Sequence, residues 1–151
     1  MKEGLIFLAG GGNKKDSKLL DQKFVEEVNK SSLSSIAYIP IALEPKPYEE
    51  CLEWFRSIFA GQINSIEMWT SLKDKSARDL EKVGAIYLGG GNTVRLLKEV
   101  RSSNFDLLLE KFVKGGGLVY GGSAGAIILG KDIRTAPEAE GANLTEFSGL
   151  N

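Results

Sequence analysis

Apolar residues along the chain fall into two kinds of run. Short, nearly unbroken runs at LIFLA (5–9), SIAYI (35–39), SIEMW (65–69), AIYL (85–88) and LVY (118–120) have the length and β-branched or aromatic character of buried strands. Between them, apolar residues recur every three or four positions. Leu19, Leu20, Phe24 and Val28 mark a helix over 16–30, and Tyr48, Cys51, Leu52, Phe55 and Phe59 mark another over 46–60. A short helix is predicted over 74–82, two more over 93–101 and 104–114, and an apolar helix over 124–129. Strands that alternate with helices in this way predict one α/β domain over 1–151, a mostly parallel sheet with helices on both faces. From Asp132 onward the chain is mostly polar, and no element is predicted there.

Glycine is the unusual feature, with 18 in 151 residues, and it gathers at GGGN (10–13), GGGN (89–92), GGG (115–117) and GGSAG (121–125). Three of these clusters follow strands one, four and five, at the carboxyl edge where α/β sheets bind ligands. The first does not complete the dinucleotide fingerprint, because Lys15 stands where the third glycine belongs; a tight turn is the reading there. GGSAG matches GxSxG between a strand and a helix, the setting of a nucleophile elbow that exposes Ser123 at a helix N-terminus. The alternative is a glycine-rich turn in which Ser123 only caps the helix. The GGGNT loop, 89–93, offers a backbone N–H to complete an oxyanion hole with that of Ala124. Its alternative is a turn in which Asn92 or Thr93 caps the next helix.

Composition narrows the chemistry. Lys and Arg number 19 against 20 Asp and Glu, with no basic stripe, so no nucleic-acid partner is expected. The first apolar run is too short for a membrane span. One cysteine excludes a disulfide framework and suits a reducing cytoplasm. Cys51 is expected to pack as a small hydrophobe, and Trp54 and Trp69 to pack as well. The absence of histidine excludes His-ligated metal and any Ser-His or Cys-His pair within these residues; no metal or cofactor is expected. Nothing in the spacing supports Lys131 as a substitute base.

YLGGGNTVRLL (87–97) and GLVYGGSAGAIILG (117–130), followed by Ile133-Arg134-Thr135, together resemble the peptidase E group. These are serine peptidases of the alpha-aspartyl dipeptidase and cyanophycinase type, with a class I glutamine amidotransferase-like, flavodoxin-like three-layer fold. The resemblance implies Ser123 as nucleophile, Ala124 and Gly90 or Gly91 as oxyanion donors, and Asn92 lining the substrate site. It implies Glu138 for the third triad role, and small peptides with an N-terminal aspartate as substrates. The family's histidine follows a strand that comes after a Gly-Leu pair. Here Gly149-Leu150-Asn151 is similar to the approach to that strand, so the chain is expected to be C-terminally incomplete relative to the family. An incomplete sheet would expose an edge and invite self-association. The competing reading is a non-catalytic, amidotransferase-like domain that binds a small ligand.

Overall fold

The computed structural model describes residues 2–44, 48–142 and 147–151. Five strands, β1 (Leu5–Ala9), β2 (Ser35–Ile39), β3 (Ser65–Met68), β4 (Ala85–Leu88) and β5 (Leu118–Gly122), form one parallel sheet in the order β1-β5-β4-β2-β3. The helices are α1 (Lys18–Asn29), α2 (Glu49–Phe59), α3 (Ala77–Leu80), α4 (Thr93–Ser102), α5 (Phe105–Lys114) and α6 (Ala124–Ile128). Each lies where the apolar spacing predicts one. The part of the 46–60 expectation that falls on 46–47 lies outside the described residues.

Strand alternation divides the core in two. Ile36, Tyr38, Ala85, Tyr87, Leu118 and Tyr120 point toward α1 and α2, where they meet Phe24, Val28, Phe55 and Phe59. Ala37, Ile39, Ile86, Leu88 and Val119 point the other way, onto α3 to α6. The result is the three-layer, flavodoxin-like α/β arrangement.

One register row crosses all five strands: Phe7, Tyr120, Tyr87, Tyr38 and Met68. Tyr87 and Tyr120 stack with centroids 4.4 Å apart, and Tyr38 stacks on Phe55 of α2 at 4.2 Å. Tyr120 donates its hydroxyl to the buried Asp21 at 2.6 Å, and Ser17 donates to the same carboxylate at 2.8 Å. This row lies directly beneath the glycine loops.

Two features depart from expectation. The polar stretch after Asp132 is docked: Ile133 is fully buried, a 3₁₀ turn spans Pro137–Ala139, and Asp132 bridges antiparallel to Ser148. Arg101 supports it by donating to the Ser148 carbonyl at 2.7 Å. Such order comes from tertiary contacts that no local periodicity encodes. Trp54 does not pack as Trp69 does; it is 47% exposed against 5%. At the sheet edge, Leu5, Ile6 and Leu8 of β1 are exposed, the surface on which the expectation of self-association rests.

Asp21 has only hydroxyl partners among the described residues. Tyr120→Phe therefore leaves a buried carboxylate with one donor fewer, and is expected to cost about 1–3 kcal/mol in urea unfolding. An unchanged midpoint would show that the Tyr120 hydroxyl does not support Asp21.

Candidate active site

The loops after β1 and β5 leave the sheet in opposite directions, toward α1 and α6, whose cores lie on opposite faces. That divergence opens a crevice at the strand ends. Ser123 sits in it.

The turn from β5 into α6 is unusually sharp because the helix backbone presses on the sheet. A Cβ at Gly121 would stand 2.7 Å from the Ala126 nitrogen, and one at Gly125 would overlap the Leu88 carbonyl. Only glycine permits both approaches. Between them Ser123 is forced to φ 50° and ψ −110°, outside the regions that L-residues favour. Its N–H donates to the Ala9 carbonyl at 2.8 Å, which ties the strained residue to β1. Its side chain is exposed and makes no cap bond to α6. The capping alternative is therefore not realised.

Two other glycine loops flank this serine. The Cβ positions of Gly90 and Gly11 stand 3.2 and 3.5 Å from the Ser123 Cβ. The loop after β4 is fastened at nearly every residue but those facing the serine. Gly89 N–H donates to Ile39 at 3.0 Å, Asn92 N–H to Ala42 at 2.7 Å, and Thr93 N–H to Glu138 Oε1 at 2.7 Å. The N–H groups of Gly90, Gly91 and Ala124 have no protein acceptor among the described residues. Gly91, at φ 140°, lies against the Ala42 carbonyl, so Gly90 is the member of the pair that faces Ser123.

The other candidates are placed as follows. Asn92 caps α4, its Oδ1 accepting from the Arg95 N–H at 2.9 Å, and its amide nitrogen has no partner among the described residues. Glu138 makes no hydrogen bond to Ser123; it caps the same helix through Thr93. That N–H holds the Glu138 carboxyl below the usual glutamate range. Cys51 is half-buried, not fully packed, and burial pushes its thiol up. The sequence reading missed Gly11, which the turn signal alone could not place against Ser123.

A parallel sheet between two helical layers, with a strained serine at its carboxyl edge, defines a three-layer α/β protein of the flavodoxin-like class. The sequence profile of peptidase family S51 matches residues 5–151, and the chain belongs to that family. It is 29% identical over 117 residues to peptidase E of Pasteurella multocida, covering 78% of this chain and 50% of that protein. It is 28% identical over 115 residues to peptidase E of Haemophilus influenzae, with 76% and 50% coverage. The chain thus spans about half the length of these curated relatives. A crystal structure of a putative peptidase E protein from Listeria monocytogenes superposes with TM-score 0.70 at 27% identity, covering 97% of this chain and 73% of that one. A peptidase from an actinobacterium shares the fold, with TM-score 0.75 at 17% identity, over 97% of this chain and 63% of that one.

A depressed carboxyl contributes stability above its unfolded pKa and loses it as pH falls through the folded value. The Thr93 amide resonance is therefore expected to titrate below the ordinary glutamate range, and Glu138→Gln to abolish that titration. A Thr93 titration that survives the substitution would assign the cap to another group.

Proposed function

We propose that this chain carries the nucleophile half of a serine-type peptidase site acting on small peptides. The observation that carries the reading is Ser123, exposed at φ 50°, with no partner for its hydroxyl among the described residues. Ser123 Oγ attacks the scissile carbonyl carbon. The N–H groups of Ala124 and Gly90 receive the oxyanion, and α6 begins where negative charge develops. Asn92, with a free amide nitrogen beside Gly91, lines the substrate path. Glu138 fits a positioning role, holding the GGGNT loop through Thr93.

These 151 residues contain no histidine to act as the general base of a Ser-His pair. A serine hydroxyl without a base is a weak nucleophile. Binding and an oxyanion hole alone retain about 10³–10⁴-fold over water when a triad member is removed. The relatives named peptidase E support the peptidase part of this proposal; the N-terminal aspartate of its substrates is what the family resemblance of the two glycine motifs implies. Among the described residues no helix is long and apolar enough to cross a membrane, and the free Cys51 fits a reducing cytoplasm.

Exogenous imidazole supplies the missing base and gives a direct test. The chain is incubated with a fluorophosphonate at neutral pH, and adducts are located by mass spectrometry. Labelling at Ser123 is expected to accelerate with imidazole and to vanish in Ser123→Ala. Labelling that ignores imidazole, or falls on other residues, would favour the non-catalytic binding domain.

A further inference from the structure

A groove of about 320 Å³ opens between α2 and the loop after β4, lined by Tyr38, Leu43, Glu50, Cys51, Trp54 and Gly90. Gly90 has Ser123 beside it and this groove also against it. Through Gly90 the groove therefore borders the strand ends where a substrate carbonyl would meet the serine.

Its walls have a definite chemistry. Leu43 and Trp54 are 39% and 47% exposed, large apolar side chains left uncovered at one place. Trp54 is not loose: its ring leans on Tyr38 and Phe55, with centroids 6.5 and 6.4 Å away. Tyr38 is itself buried, held by its stack on Phe55, and its hydroxyl has no hydrogen-bond partner among the described residues. Among the described residues no lysine or arginine lines the groove. Its charged member is Glu50, an exposed carboxylate.

We infer that this groove is a subsite of the Ser123 site that takes an apolar or aromatic side chain flanking the scissile bond and rejects an acidic one. The inference rests on the peptidase reading and deepens it. An acidic side chain here would face the Glu50 carboxylate, and no cation among the described lining residues offsets that repulsion. The aspartate of an Asp-X peptide must then be recognised elsewhere, and the groove receives X. Aromatic rings prefer edge or offset contacts with aromatic walls, which Trp54 and Tyr38 provide. Burying one large apolar side chain supports a preference of about tenfold or more.

The test is an NMR titration of the isotope-labelled 151-residue chain with Ala-Phe and Phe-Ala, each against its counterpart Ala-Asp or Asp-Ala. The Trp54 indole N–H and the Gly90 amide are followed. Ala-Phe is expected to bind about tenfold more tightly than Ala-Asp and to shift both signals, and a preference confined to Phe-Ala over Asp-Ala overturns the assignment of the groove to X. Trp54→Ala is expected to reduce that preference to about twofold or less, with Leu43→Ser as a second variant on an exposed position. Equal affinities, an unmoved Trp54 signal, or a preference that both variants retain overturns the subsite. Fluorophosphonate labelling on the same samples separates the two claims. Labelled Ser123 without a phenylalanine preference removes the subsite alone. A preference with unreactive Ser123 sustains the apolar groove and removes the peptidase reading.

Discussion

The approach of the α6 backbone to the ends of β4 and β5 is the constraint on which the site depends. Gly121 and Gly125 leave no room for a Cβ, and the residue between them has to turn within a single strained step. A non-glycine residue in such a conformation costs about 1–3 kcal/mol and persists only where its surroundings enforce it. Here the enforcing contacts are the Ser123 N–H bond to Ala9 and the packing of Ala124 and Ile128 in the core. The strain lifts the hydroxyl out of the helix-capping position and into the crevice. Neighbouring loops can come close only because Gly11 and Gly90 present no side chain to it.

Beneath this edge the aromatic row acts as a rigid floor. Tyr38, Tyr87 and Tyr120 occupy matching register positions, and Phe24, Phe55 and Phe59 close over them from the helices. Desolvation raises all three tyrosine hydroxyls well above their ordinary range, so they stay neutral through the physiological pH range. The Tyr87 hydroxyl stands 3.1 Å from the Cβ position of Gly122, and Tyr38 Cε2 equally near that of Gly89. The glycine loops thus rest on ring edges that neither titrate nor yield.

Much of this was legible in the sequence. The five strands and six α-helices follow from runs and spacings, because buried parallel strands and amphipathic helices carry their own periodicity. The site was half legible. GGSAG between a strand and a helix points to Ser123, and GGGNT at a neighbouring strand end points to its companion loop. What the sequence could not show were relations between distant segments: Gly11 against Ser123, Glu138 on the N-terminus of α4, and Trp54 turned outward beside Gly90. Each depends on where the sheet order β1-β5-β4-β2-β3 puts its loops, and local pattern carries no record of strand order. Glu138 shows the difference most clearly. The family resemblance implies the third triad role for it, and the fold shows its carboxylate accepting the Thr93 N–H.

The central claim is that close packing of α6 forces Ser123 into a strained turn with a free hydroxyl. A high-resolution crystal structure of the 151-residue chain measures this most directly. Ser123 is expected at φ near 50°, with its N–H on the Ala9 carbonyl and its Oγ between Gly11 and Gly90. Ser123 in an ordinary negative-φ conformation, with Oγ bonded to the first turn of α6, would contradict it.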